Sequence, residues 1–367
     1  MEKISEILPF FESPYYFIIA GFSLACFITW FGIPAVNRLA RARNLFDLPG
    51  ERSSHSNPVP RLGGAMIFAG VILASILFTD LVTASELKYI IAGMLVLFFI
   101  GIKDDLVTLT PLKKAIGQFI AALIIVVCAN IRITDCYGIF NIEKLSYLPS
   151  IIISILLIMG LINSINFIDG IDGLASGIGI MASIVFGVFF IKNEHISYAT
   201  ICSSLAGSLS AFFYFNVISK KNKIFMGDTG SMIIGFLLAV FTIYLIEMPS
   251  PENPIEKALP IAPAMSLAIL FIPVFDGLRV SLIRFIHGKS IFKADKNHIH
   301  HKILSITGSH LIATMIIVIS NTAIILIVYL LRETGNKILI SSLVLAGIIF
   351  SILLGIKPDT FSNNKNS

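Results

Sequence analysis

Charge is what this chain has least of. Only 13% of its 367 residues are charged, 56% are hydrophobic, and the mean hydropathy is +0.89. An ordinary soluble domain carries about 25% charged residues, so no water-facing surface can be built from this composition. Disorder, collagen and coiled coil are excluded on the same ground. Cysteine is scarce as well. Cys26, Cys128, Cys136 and Cys202 form no C-x-x-C pair and three lie in apolar runs, so they read as packing residues rather than disulfide or metal partners. The start MEKISEILPFFESPYY is acidic with a single Lys, unlike the basic leader of a cleaved signal peptide, and the first apolar run is expected to be a retained span.

What the sequence does have is long apolar runs, helix-length rather than the short alternation of barrel strands. The expected fold is all-α: one polytopic membrane domain over residues 1–367, with about eleven spans. The runs cover 14–35, 63–84, 87–102, 114–133, 149–168, 174–192, 198–217, 231–247, 260–285, 310–331 and 337–356. Lys and Arg set the orientation. The segments on one side carry 19 of them and those on the other 8, which predicts an outside N-terminus and a cytoplasmic C-terminus. The net charge of +5 belongs to this topology and is no sign of nucleic-acid binding.

The acids are sorted differently. The outer ones are scattered singly in polar loops, whereas Asp104, Asp105, Asp169, Asp172, Asp228, Asp276 and Asp295 crowd against inner span ends. A carboxylate at the membrane edge carries a desolvation cost, and seven on one side point to a shared site. In GIKDDLVTLTPLKKAIGQF two adjacent carboxylates repel unless a metal or base sits near, and Lys113, Lys114 and Gln118 follow. In GLINSINFIDGIDGLASG, Asn163, Asn166, Asp169 and Asp172 recur every third residue, with Gly170 and Gly173 allowing a broken turn or close backbone approach. KKNKIFMGDTGSM runs from a basic loop through Phe225 into Asp228 at a helix start, a place that suits phosphate and a hard oxygen ligand for Mg²⁺; a plain N-cap is the rival. Phe225 either stacks on a base or is ordinary packing. KSIFKADKNHIHHKIL gathers His298, His300 and His301 among lysines, a better anion-binding loop than zinc site, and no HExxH is present. Carboxylates for Mg²⁺, cationic loops and a membrane together suggest phosphoryl transfer between a nucleotide compound and a lipid.

GIKDDL, NSINFIDGIDGLA, FMGDTGS and ADKNHIHH, with PVPRLGG before them, resemble the motifs of the polyprenyl-phosphate N-acetylhexosamine-1-phosphate transferases, in that family's order from about Pro58 to His301. The resemblance implies transfer of a sugar 1-phosphate from a UDP-N-acetylhexosamine to undecaprenyl phosphate, with release of UMP, at the bacterial cytoplasmic membrane. Loops 36–62, 103–114, 169–173, 218–230 and 286–309 would form the active site on the cytoplasmic face. By the same carry-over Asp228 and, more weakly, Asn166 would hold Mg²⁺, with Mn²⁺ as an alternative. Asp104 and Asp105 would be catalytic, Asp104 either deprotonating the lipid phosphate or acting as nucleophile; direct attack by the lipid phosphate is preferred because it is already anionic. Asn163, Asp169 and Asp172 would bind substrate, with Phe225 stacking on uracil and Lys114, His298, His300 and His301 engaging phosphates or sugar. The HIHH pattern is similar to the branch that uses UDP-N-acetylglucosamine, and it lacks the three consecutive histidines of the branch that makes peptidoglycan lipid I. The donor sugar, the polymer that follows and a homodimer through the membrane stay open. Asp169-x-x-Asp172-Gly173 departs from the CDP-alcohol phosphatidyltransferase motif, lacking its Arg. A transporter is the rival of another class, although its acids would sit at the midplane between repeated halves.

Overall fold

A computed structural model describes residues 13–43, 45, 59–80, 84–249, 259–286, 288 and 298–353. Asp295, Lys293 and Lys296 of the histidine motif, and most of loop 36–62, lie outside these residues. The described chain is helical, with an isolated β-bridge between Asp135 and Lys144. Thirteen α-helices are named here in chain order: α1 (Pro14–Ala42), α2 (Gly63–Phe78), α3 (Leu87–Leu106), α4 (Pro111–Leu123), α5 (Tyr147–Ile168), α6 (Leu174–Lys192), α7 (Ile196–Phe213), α8 (Gly227–Glu247), α9 (Ala262–Ile269), α10 (Phe271–Ile286), α11 (Ile299–Thr307), α12 (His310–Leu330) and α13 (Asn336–Leu353). Among the described residues seven helical stretches are long and apolar enough to cross a membrane, or eight if the bent pair α9–α10 counts as one. All eleven apolar runs of the sequence are helical over most of their length. Those that miss the span criterion do so because α2 and the apolar stretch of α13 are short and α3 ends in Lys103, Asp104 and Asp105.

The bundle is organised around α8. Between Asp228 and Glu247 it carries no charge, and its apolar stretch is 94% buried. A helix apolar all round is a core helix, and α8 packs against α2, α3, α5, α6 and α9. The close approach of α2 depends on Gly64, where a Cβ would meet the backbone of Gly230. Both ends of α8 are pinned by carboxylates. At the far end Glu247 accepts from the Thr134 N–H (2.7 Å), the Thr134 hydroxyl (2.6 Å) and the Asp135 N–H (3.2 Å).

The run 260–285 differs from a straight span: it breaks between α9 and α10 with a bend of 78°. Pro273, at the start of α10, lacks the N–H that would continue the ladder to Ile269. The exposed backbone groups are met by one side chain. Asn321 of α12 donates to the carbonyls of Ala268 (3.2 Å) and Ile269 (2.9 Å) and accepts from the Ile272 N–H (3.0 Å). In lipid such groups have no water to turn to, so this asparagine, buried in an apolar run, is what permits the break. Asn321→Leu is expected to leave three backbone groups unpaired and to cost about 1–3 kcal/mol, seen as a lower melting temperature of the detergent-solubilised protein, whereas Thr322→Val, on the next residue, should leave it near the wild-type value.

Candidate active site

At the N-terminal end of α8 the acids of three motifs meet. Asp105, on the last turn of α3, accepts from the Asp228 N–H (2.7 Å), the Thr229 N–H (3.1 Å) and the Thr229 hydroxyl (2.5 Å). Helix N-termini leave their first N–H groups unpaired, and here a carboxylate from another helix supplies the cap. Gly227 enters α8 with φ +72°, a left-handed conformation, and a Cβ there would press on the Asp105 carboxylate. The same entry is strapped to the chain before α2: the Phe225 N–H donates to the Pro60 carbonyl (2.8 Å), and the Gly63 and Gly64 N–H groups donate to Phe225 (3.0 Å) and Met226 (2.8 Å).

With its backbone held, Asp228 presents its side chain to a polar cluster. One of its carboxylate oxygens accepts from Lys114 of α4 and from Asn166 of α5, the latter at 2.5 Å. Lys114 also lies 3.3 Å from Asp104, whose other oxygen accepts from the Leu109 N–H at 2.5 Å. Asn166 further donates to Ser231 (2.8 Å). Asn163, one turn back, pairs instead with Gln118 (2.9 Å). A divalent cation suits the donor chemistry of this group. The Asp104 and Asp228 carboxylates are within hydrogen-bond reach of each other, and two carboxylates so close stay ionised together only with positive charge beside them. Hard carboxylate and amide oxygens are what Mg²⁺ takes.

The row Asn163, Asn166, Asp169, Asp172 does not continue along one helix. α5 stops at Ile168, and Asp169 and Asp172 stand in the turn that leads through Gly173 (φ +83°) into α6. Burial, with the charges of Asp228, Asp105 and Asp172, holds the Asp169 carboxyl well above the usual range, against the pull of Arg61. Asp172 is paired with Lys223 (2.6 Å), and His310 at the start of α12 is 3.8 Å away. A π-helical turn at Tyr214–Ile218 lets Asn216 bridge the two loops: it accepts from the Gly173 N–H (2.6 Å) and donates to the Ile224 carbonyl (2.9 Å). The half-buried Phe225 ring follows, with the Lys223 ammonium 6.0 Å from its centre.

The histidines form a second group beside the first. His298 and His300 turn their Nδ1 atoms toward one oxygen of Asp276 on α10, at 3.1 and 3.3 Å, and all three side chains are buried. His301 is partly exposed; it and His300 lie against Gly170, where a Cβ would sit 3.3–3.4 Å from their rings. Asp276, His298 and His300 bring three ligand-type atoms within 4.8 Å of one another. Their nitrogen-rich set, with the Arg279 guanidinium donating to the same carboxylate at 3.0 Å, suits Mg²⁺ less well than the Asp228 group.

Asp276 is among the inner acids of the sequence but not among its site residues, because the histidines it meets lie more than twenty residues away. Thr229, Asn216 and Lys223 are not among them either. Only their positions between named motif residues could have marked them.

The profile of glycosyl transferase family 4 matches residues 87–246, the stretch from α3 to the end of α8. Over 369 aligned residues the chain is 31% identical to the decaprenyl-phosphate N-acetylglucosaminephosphotransferase of Mycobacterium leprae, covering 92% of this chain and 90% of the relative. The chain belongs to this transferase family. It is an enzyme of the sugar-phosphate transferase type that its motifs resemble. It is also similar to the probable undecaprenyl-phosphate N-acetylglucosaminyl 1-phosphate transferase of Bacillus subtilis, at 27% identity over 82% of this chain and 81% of that one. The undecaprenyl-phosphate alpha-N-acetylglucosaminyl 1-phosphate transferase of Escherichia coli (strain K12) is 26% identical over 73% and 71%.

The cap on α8 sets two expectations. Thr229→Val removes one donor to Asp105 and should cost about 1 kcal/mol, while Asp105→Ala leaves several donors unpaired and should cost about 2–4 kcal/mol. Thermal unfolding of the purified variants checks the order.

Proposed function

We propose that the protein transfers N-acetylglucosamine 1-phosphate from UDP-N-acetylglucosamine to undecaprenyl phosphate, releasing UMP and starting a lipid-linked envelope glycan. The observation that carries this reading is a juxtaposition. An apolar cleft of about 530 Å³ runs between α5, α8 and the broken pair α9–α10, lined by Leu156, Gly160, Leu270 and Val274. At its polar end it reaches Asn163, Ser164 and Phe167, one turn from the Asn166–Asp228 pair. A long apolar acceptor with an anionic head suits such a cleft; an ion path does not need one. The names of the relatives supply the sugar phosphate transferred and a polyprenyl-phosphate acceptor, and HIHH favours N-acetylglucosamine over a muramoyl-pentapeptide sugar. The proposed setting is the bacterial cytoplasmic membrane, with eleven spans in one domain, an outside N-terminus and the carboxylates facing the cytoplasm.

In this reading Asp228, with Asn166 and Asp104, would hold Mg²⁺, which when bound neutralises charge on the donor diphosphate. Lys114 is placed to balance the remaining anionic charge. An oxygen of the acceptor phosphate attacks the sugar-linked phosphorus of the donor. The bond from that phosphorus to the UMP oxygen breaks, and UMP leaves with the electron pair. Asp105 anchors α8 rather than touching substrate, which leaves Asp104 as the member of the pair that faces the reacting phosphates. Asp169, Asp172 and Phe225 would hold the nucleoside end, and His298, His300 and His301 the phosphate or sugar.

The test is UMP release from a panel of donors offered with undecaprenyl phosphate: UDP-N-acetylglucosamine, other UDP-N-acetylhexosamines and UDP-N-acetylmuramoyl-pentapeptide. UDP-N-acetylglucosamine should be used, chelation should abolish release, and Mg²⁺ should restore it. Use of the pentapeptide donor alone would overturn the branch, and movement of solute across liposomes without any UMP release would replace the reading with a transporter. Asp228→Ala should lower kcat by at least about 10³-fold, in line with removal of a preorganised electrostatic group, while the protein still folds; retained activity would remove Asp228 from the metal site.

A further inference from the structure

Asp276 lies in the half-span after the break, away from the Asp104–Asp228 cluster, and its surroundings are unusually complete. One oxygen accepts from Arg279 Nη2 and from the Ile299 N–H, both at 3.0 Å. The other faces Nδ1 of His298 at 3.1 Å and Nδ1 of His300 at 3.3 Å. Asp276 is 1% exposed and His300 2%. A carboxylate accepts only, so each imidazole must carry its proton on Nδ1 to make these bonds. That fixes the free face of each ring as Nε2. The two rings stack with centres 5.2 Å apart at 22°, His300 then leans on His301 at 4.4 Å, and Phe167 packs against His298 at 5.6 Å. Among the described residues Nε2 of His300 is buried without a hydrogen-bond partner. A Cβ on Gly170 would lie 3.4 Å from it, in the turn that carries Asp169 and Asp172.

A buried imidazole with one nitrogen fully engaged and the other left unpaired is held for something that arrives later, since leaving such an atom unpaired costs about 1–3 kcal/mol. We propose that Asp276 is a positioning residue for the transfer reaction: it locks His298 and His300 in the Nδ1–H tautomer and aims Nε2 of His300 at the Asp169–Asp172 turn. Burial holds the His300 imidazole below its ordinary range, against the pull of Asp276, so the ring is neutral near pH 7 and offers a lone pair at Nε2. The Ile299 N–H bond adds a second effect. It ties the start of α11 to α10, so one carboxylate sets both the tautomer and the height of the histidine segment above the turn.

The inference rests on the transfer reaction proposed above, and the test separates the two. Wild type and Asp276→Asn are compared in melting temperature, in kcat and KM for UMP release, and in the ¹⁵N spectrum of histidine-labelled protein. Asn keeps the shape but offers one acceptor oxygen in place of two. Asp276→Asn should melt within a few degrees of wild type, lose at least about 100-fold in kcat with a small change in KM, and lose the protonated-Nδ1 signature of the paired histidines. Full kcat in this variant overturns the proposal, as does a loss of kcat with unchanged histidine resonances, which would mark a structural role. If Asp276→Asn does not fold, His300→Asn serves. It keeps an N–H donor at the Nδ1 position toward Asp276 but has nothing at Nε2, so a folded variant should lose kcat to the same degree, and full activity there overturns the proposal. A wild-type protein that releases no UMP defeats the transfer reading itself.

Discussion

The carboxylate of Asp105 on the first turn of α8 is the constraint from which the rest of the site takes its position. α8 is a core helix with almost no lipid or solvent contact, and its N-terminal amide groups would otherwise have nothing to bond in an apolar bundle. Because the cap comes from α3, the last turn of one helix and the first turn of another become a single unit. Asp228 is then one residue inside a fixed helix start, and its side chain is turned toward Asp104 on α3 and the faces of α4 and α5. Lys114 and Asn166 are on those faces. Removing the cap would therefore move the metal-binding candidate, because the Asp105 carboxylate holds the Asp228 backbone N–H.

Scarce charge has a second consequence. In a chain of this composition several of the described inner acids are met by positive charge: Asp104 by Lys114, Asp172 by Lys223, and Asp276 by Arg279 and two histidines. Asp169 is different. It is buried, and it stands among Asp228, Asp105 and Asp172 against the pull of Arg61, which is why its carboxyl is held so high. The turn that carries it is the one the histidines face, so this raised carboxyl and the unpaired His300 nitrogen belong to the same corner of the molecule.

How far the sequence was legible follows from what kind of signal each feature leaves. Apolar runs mark helices because lipid allows little else, and all eleven are helical here. Motif acids stood out because little other charge competes with them. The bend at α9–α10 did not, since Pro273 alone does not tell a kink from a break. It takes Asn321, about fifty residues on, to make the break affordable in hydrogen bonds. Asp276 was visible as an inner acid, but its role depends on a loop that returns to it. The every-third-residue row left a broken turn or a close backbone approach open at Gly170 and Gly173, and α5 does end at Ile168, with the last two acids in a turn. Asn163 illustrates the limit most plainly. It sits in the most specific motif, yet its side chain is spent on Gln118 and on the Met159 carbonyl.

The geometry of Asp104 bears on whether transfer goes through a covalent enzyme intermediate. A carboxylate nucleophile needs an oxygen free to approach phosphorus in line. One Asp104 oxygen takes the Leu109 N–H at 2.5 Å and the other faces the Lys114 ammonium at 3.3 Å. Both bonds lower the nucleophilicity of the group, and breaking either would unpin the loop between α3 and α4. The acceptor phosphate, by contrast, is anionic before it arrives and needs only to be oriented and kept from repelling the donor. Lys114 stands between Asp104 and Asp228 in the position that task requires. Under the proposed function the arrangement favours direct attack by the acceptor, with Asp104 holding Lys114 in place, and a transfer that inverts configuration at phosphorus where a two-step route through Asp104 would retain it.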